Sequence, residues 1–120
     1  MRAHGEAAEV IVDDPRFARG IDLFDAGDYF EAGEEFEDLY FEGVRDEPEF
    51  VRIFLQFSVG IFHVQTGQRR PAIERIEEGL KIDAPHDYGI DLDSLRSGMR
   101  SALADFVAGR KPSWPKITRR

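Results

Sequence analysis

Five polar side chains near the middle of the sequence have types and spacings that could support chemistry. Glu34 and Glu37 are three residues apart, so they are neighbours on one predicted helix. Arg52, Gln56 and His63 lie on one strip of the next predicted helix, at positions i, i+4 and i+11. If the two helices pack antiparallel, we expect two carboxylates, a guanidinium, an amide and an imidazole to meet.

Such a polar cluster is compatible with three roles. Two carboxylates and an imidazole are suitable ligands for a divalent metal ion. The same groups also suit general acid–base catalysis. The third role is structural: Arg52 pairs with a glutamate, Gln56 with the backbone and His63 with a carbonyl, because buried polar groups need partners. We adopt the structural network and keep the other two as alternatives.

The strip of polar residues is carried by an almost entirely apolar stretch, FVRIFLQFSVGIFHVQT, at residues 50–66. At about 100° per residue, one broad apolar face forms on this stretch. Its members are Phe50, Ile53, Phe54, Phe57, Ile61 and Val64. A helix that is apolar nearly all round is normally buried, which predicts a central helix.

Start and stop signals predict the other helices. Asp14-Pro15 is typical of a helix start, and Gly27 of a left-handed cap at a helix end. Asp28 with Glu31 predicts a capping box. A turn at 43–46 and a second Asp-x-Pro start signal at 46–48 precede the central helix. Together with the apolar periodicity, these signals predict helices near 15–26, 28–42, 48–66, 71–82 and 92–108.

These helices predict an all-α, compact antiparallel bundle of about five helices, built from two similar helical hairpins plus a C-terminal helix. The pattern Gly27-x4-Ala32-x3-Phe36-x3-Tyr40 recurs forty residues later, from Gly67 to Leu80. It resembles the second-helix pattern of tetratricopeptide repeats. We predict one helical domain at 13–109, preceded by a flexible N-terminus at 1–12 and followed by a basic tail at 110–120, which folds back on the chain's acidic surface or stays mobile.

Composition excludes several classes of function. The 120 residues suit one domain, and a net charge of −8 disfavours nucleic-acid binding, because affinity for phosphates needs cations. Without cysteine, the chain has no disulfide or thiolate chemistry. The apolar stretch is shorter than a bilayer span of roughly 20 residues. We expect a soluble, cytoplasmic protein whose acidity reflects a halophilic host or simple solubility.

Three segments together resemble a known family. They are FDAGDYFEAGEEFEDLY, FLQFSVGIFHVQTGQ and AIERIEEGLKI, within about residues 20–82. Their order and spacing are similar to the family called domain of unknown function 309. The positions that correspond are Phe24, Gly27, Tyr29, Phe30, Glu31, Ala32, Glu34 and Glu37, then Leu55, Gln56, His63 and Gly67. The resemblance implies a compact all-α bundle and no particular activity. Gly33 stands where the family has a histidine, which puts any role of that histidine in doubt here. The resemblance therefore implies a small vacated space beside Gly33.

These observations predict a non-catalytic scaffold or binding module with no required cofactor, although a divalent metal is possible. One alternative is a metal-binding protein or hydrolase-like enzyme that uses Glu34, Glu37 and His63. Another is a peptide-binding helical-hairpin module. Apolar groups on two sides of the second helix further predict a homodimer, because uncovered apolar patches mark interfaces.

Overall fold

The structure, a computed structural model, describes residues 13–43 and 48–120. Its five α-helices are α1 Pro15–Asp25, α2 Tyr29–Asp38, α3 Pro48–Gln65, α4 Arg69–Lys81 and α5 Leu92–Val107. Helix α2 continues into a wider π-helical turn, Leu39–Gly43. This confirms the predicted all-α bundle. Among the described residues, no helix is both long enough and apolar enough to cross a membrane.

The helix starts follow local chemistry, with one exception. The carboxylate of Asp14 accepts a hydrogen bond from the Arg16 N–H at 2.9 Å, and Pro15 occupies the first turn of α1. Asp28 holds the same position before α2, but its side chain makes no capping hydrogen bond, so the predicted capping box is wrong. The backbone ψ of Asp28 is 68°, against 126° in the extended region at Asp14, so the two cap residues differ in backbone conformation. The predicted start signal at 46–47 and the N-terminus at 1–12 lie outside the described residues.

Two identical reversals build the two hairpins. Gly27 and Gly67 both have the left-handed φ that glycine favours, at 86° and 76°. After each glycine, the next N–H donates to the carbonyl five residues back, Leu23 or His63, at 2.8 Å. This pattern satisfies the last carbonyls of α1 and α3. The hairpins α1–α2 and α3–α4 are therefore two copies of one motif, forty residues apart.

Close helix contacts repeat with the same spacing. Gly20 of α1 lies against the ring of Phe36 in α2, and Gly60 of α3 lies against Ile76 in α4. A Cβ atom on either glycine would lie 2.6 Å from a side-chain carbon of its neighbour. Glycine at both crossings lets the two backbones of each hairpin approach closely. Gly20 and Gly60 are not part of the repeated sequence pattern, which starts at Gly27 and Gly67.

Helix α3 forms the centre of the core, as predicted from its apolar residues, which lie on nearly every side of the helix. Its ring at Phe54 is fully buried and lies 5.7 Å from Phe17, 5.5 Å from Phe36 and 5.0 Å from Phe50, measured between ring centroids. Rings from α1, α2 and α3 thus meet in one aromatic cluster. Offset and edge-to-face pairs of this kind add to the stability that burial supplies.

The C-terminal tail folds back over the bundle. Pro115 covers Gly98 of α5, and the Ile117 side chain is buried. The Ile117 N–H donates to the carboxylate of Asp25, at the end of α1, at 2.8 Å. An isolated β-bridge between Ile90 and Arg119 fixes the last residues. The tail thereby connects α5 to the first hairpin.

Candidate functional site: a cleft between α2 and α3

An open cleft of about 340 Å³ lies between α2 and α3. It is lined from α2 by Tyr29, Phe30, Gly33, Glu34 and Glu37, from α3 by Leu55, Val59, Phe62 and His63, and from α4 by Arg75. The cleft thus combines an apolar wall with carboxylates, an imidazole and a guanidinium.

The apolar wall comes from residues outside the main core face of each helix. Leu55, Val59 and Phe62 follow one another at i, i+4 and i+7, so they form a second stripe on α3. The Phe30 ring contacts Phe62 at 5.0 Å between centroids, and 54% of Phe30 remains exposed. An exposed phenylalanine beside half-buried apolar residues leaves an apolar surface in contact with water.

Gly33 borders the cleft without being required there for close packing. A Cβ atom at this position would lie 3.6 Å from Ser58 and from Val59, which is ordinary van der Waals contact. A larger residue is therefore compatible with the helix pair. The absence of a side chain leaves space in the cleft at the position where the family pattern has a histidine.

Three of the five predicted polar residues line this cleft. Glu34 and Glu37 are exposed, and neither makes an ion pair or hydrogen bond with another described residue. His63 is half-buried, and its Nδ1 atom is enclosed without a hydrogen-bond partner in the described part of the chain. An enclosed nitrogen without a partner is uncommon in folded proteins.

Arg52 does not line the cleft, because its guanidinium forms ion pairs with other carboxylates. Its guanidinium contacts Glu49, one turn earlier in α3, at 2.7 Å and Glu78 of α4 at 3.7 Å. The hydrogen bond with Glu49 raises the pKa of Arg52. Arg52 thus pairs with glutamates, as predicted, but with Glu49 and Glu78 and not with Glu34 or Glu37, since partners on α3 itself and on α4 are within reach.

Gln56 is buried and bonds to a side chain rather than to the backbone. Its Oε1 accepts a hydrogen bond from Arg75 Nη1 at 2.9 Å. This bond holds Arg75 of α4 beside the cleft. The five residues do not form the single network predicted from their spacing. Nothing in the sequence near Gln56 indicates Arg75 as a partner, because the two meet only when α3 packs on α4.

Charges on α2 are divided between its two sides. Facing α1, Glu35 pairs with Arg19 at 3.2 Å and Glu42 pairs with Arg16 at 3.1 Å. The carboxylates that line the cleft make no ion pair with a described residue, although Arg75 lines the same cleft. At the same cleft, burial raises the pKa of Tyr29, with a smaller contribution from the charge of Asp25.

A metal centre is not assembled from these groups. Among residues 13–43 and 48–120, no three His, Asp or Glu side chains lie close enough together to hold an ion. The enclosed Nδ1 of His63 has no hydrogen-bond partner there, so this atom is not paired with a carboxylate. The arrangement instead suits binding of an apolar group beside a charged one.

Comparison with known proteins gives one match, and it covers most of the region that contains the sequence motifs. Searches of curated proteins and of solved structures find no match. A family model does match the part of the chain from within α1 to the first half of α4. Over residues 17–74 the chain matches the model of the family described as Domain of unknown function (DUF309), which confirms the resemblance seen in its motifs.

Proposed function

We propose that this protein is a non-catalytic binding module, with the cleft between α2 and α3 as its ligand site. One observation carries the proposal: the cleft presents an apolar wall beside two exposed carboxylates that make no ion pair with a described residue. Its volume of about 340 Å³ matches the small end of ligand pockets, which start at about 300 Å³. It would accept an aromatic ring or a branched aliphatic side chain.

The cleft can be tested with indole as an apolar probe. Titrated into ¹⁵N-labelled protein, indole is expected to shift the amide signals of Gly33, Val59 and His63 in a saturable way. Gly33→Leu should abolish these shifts, because a side chain at this position projects beside Val59 into the cleft.

Gly33→Ala is the matched control for that substitution. It also removes the glycine, but its methyl group makes only ordinary contacts at 3.6 Å and leaves most of the cleft open. We expect Gly33→Ala to bind indole like the wild type. Indole shifts that are absent, or that persist in a folded Gly33→Leu variant, would contradict the proposal.

The repeated hairpins favour a protein segment as the natural ligand. Helical-hairpin modules similar to tetratricopeptide repeats bind peptides, and this chain repeats its turn and its close contact at a spacing of forty residues. The metal-binding and hydrolase-like alternatives have less support. Glu34, Glu37 and His63 line one cleft, but no three such side chains of the described residues lie close enough together to hold an ion.

A homodimer stays a prediction alongside the binding role. Its support is that Phe30 on α2 and Phe41 in the π-helical turn are exposed, at 54% and 72%, and a second copy competes with other partners for this surface. Sedimentation at micromolar concentration and moderate salt measures it directly: a dimer is expected, and a pure monomer would contradict it. Cytoplasmic location likewise remains a prediction.

A further inference from the structure

The exposed side of α2 and its π-helical turn carries a regular stripe of four residues. Phe30, Glu34, Glu37 and Phe41 follow one another at i, i+4, i+7 and i+11, and we name them the α2 stripe. All four are exposed. Phe41 lies in the π-helical turn beyond the end of α2, so α-helical spacing applies only from Phe30 to Glu37. The stripe therefore has an apolar group at each end and two carboxylates between.

A second row of side chains faces the stripe from α3. Leu55, Val59 and Phe62 have the same helical spacing, and all three are half-buried. Two such rows border a groove, and a third helix packs into grooves of this kind through its own i, i+4 and i+7 side chains. The spacing therefore fits a helical ligand.

The charge of the groove indicates which kind of ligand helix it binds. The segment from Tyr29 to Gly43 contains no lysine or arginine, and α1 supplies Arg19 and Arg16 only to the carboxylates on its own side. Glu34 and Glu37 make no ion pair with a described residue, and the guanidinium of Arg75, which lines the same cleft, is hydrogen-bonded to Gln56. The net charge of −8 adds a long-range attraction for cations.

We propose, building on the binding role above, that the α2 stripe and the facing row bind a cationic amphipathic helix of another protein. Apolar residues of that helix contact Phe30 and Phe41, and its lysine or arginine residues pair with Glu34 and Glu37. A second copy of this chain fits less well, because symmetric pairing through the stripe brings four carboxylates together, and like charges across an interface are costly.

Two synthetic helices of about 18 residues test this charge preference. Both carry leucines at i, i+4, i+7 and i+11, but one has lysines flanking the leucines and the other has glutamates. Their dissociation constants are measured by fluorescence anisotropy at low ionic strength. We expect the Leu/Lys helix to bind the wild type about tenfold more tightly than the Leu/Glu helix, and the difference to shrink when salt is added.

Charge reversal provides the decisive variant. Glu34→Lys with Glu37→Lys should reverse the preference, so that the Leu/Glu helix binds more tightly. The matched control is Glu74→Lys with Glu77→Lys, which changes net charge equally at the positions forty residues later. Both control residues are exposed on α4 and do not line the cleft. The control is expected to keep the preference for the Leu/Lys helix.

Three results would overturn the proposal. The first is that the wild type binds the two helices equally or binds neither. The second is that the control variant reverses the preference as fully as the stripe variant. The third is that Phe41→Ser dissociates a wild-type dimer, which would identify a second copy as the occupant. The indole titration separates these failures from failure of the binding role. If indole still shifts the cleft amides, the cleft remains a ligand site without this partner.

Discussion

Gly20 lies so close to Phe36 that a Cβ atom on Gly20 would be 2.6 Å from Cε1 of the phenylalanine ring. The ring is fully buried, so it has little room to move. The same relationship joins Gly60 and Ile76, where the carbonyl of Ala72 is also within 3.3 Å of the added atom. Each hairpin is held at short range by a glycine that faces a large side chain of the following helix.

Alanine substitutions should therefore separate these two glycines from Gly33. We expect Gly20→Ala and Gly60→Ala to lower the free energy of unfolding by about 1–3 kcal/mol through overpacking. Gly33→Ala should raise it by about 0.5–1 kcal/mol, because alanine favours the helix and meets only ordinary contacts. Urea unfolding measures all three, and equal effects would contradict the packing described.

The centre of α3 should be the most sensitive part of the core. Phe57 is fully buried, and a Cβ atom on Gly79 of α4 would lie 2.6 Å from its ring. We expect Phe57→Ala to cost about 3–5 kcal/mol in urea unfolding. Phe41→Ala is the control, since 72% of Phe41 is exposed and its loss should change stability little. A small effect at Phe57 would be inconsistent with a buried central helix.

Asp14 should make the stability of α1 depend on pH. Its hydrogen bond with the Arg16 side chain holds the pKa of the carboxyl below its ordinary value of 3.8. The stabilisation is therefore fully present above the unfolded-state pKa and is lost as the pH falls through the folded-state value.

Asp14→Ala tests this dependence. At pH 7 we expect it to cost about 0.5–2 kcal/mol, as loss of a helix cap does, and the cost should shrink as the pH falls toward about 3. Asp13→Ala removes the same charge one residue earlier without touching the cap. A cost that is independent of pH, or equal in both variants, would argue against the hydrogen bond as its source.

Divalent metal ions should not change the thermal stability of the protein, because the cleft is not assembled as a metal site. We expect no change in melting temperature when zinc or manganese is added, and Glu34→Gln should alter stability by less than about 0.5 kcal/mol. His63→Ala loses packing but no hydrogen bond at its enclosed Nδ1. A metal-induced rise in melting temperature that disappears in Glu34→Gln and His63→Ala would favour the metal-binding alternative.

The tail should contribute to the stability of the whole bundle. Ile117 is 3% exposed, and Ile117→Ala is expected to cost about 2–5 kcal/mol. Thr118→Ala is the control, because the Thr118 side chain is exposed and the backbone bond from the Asp91 N–H to its carbonyl is retained. Equal stability of the two variants in thermal unfolding would show that the tail does not pack as described.

The sequence by itself determined the helices, most of their ends and the buried side of α3. These features depend on local causes: the period of apolar residues, the cap at Asp14 and the left-handed turns at Gly27 and Gly67. The exposed Phe30 and the unfilled position at Gly33 were also visible as departures from the apolar pattern and the family pattern.

Only the tertiary structure decided which polar groups meet. With 24 acidic and 16 basic residues, many pairings satisfy the same spacing, and the partner is chosen by which helix surfaces come into contact. Arg52 therefore binds Glu49 and Glu78 rather than Glu34, and Gln56 brings Arg75 to the cleft. The open cleft has the same origin, because a space between helices depends on how closely they cross, and residues far apart in the sequence set that distance.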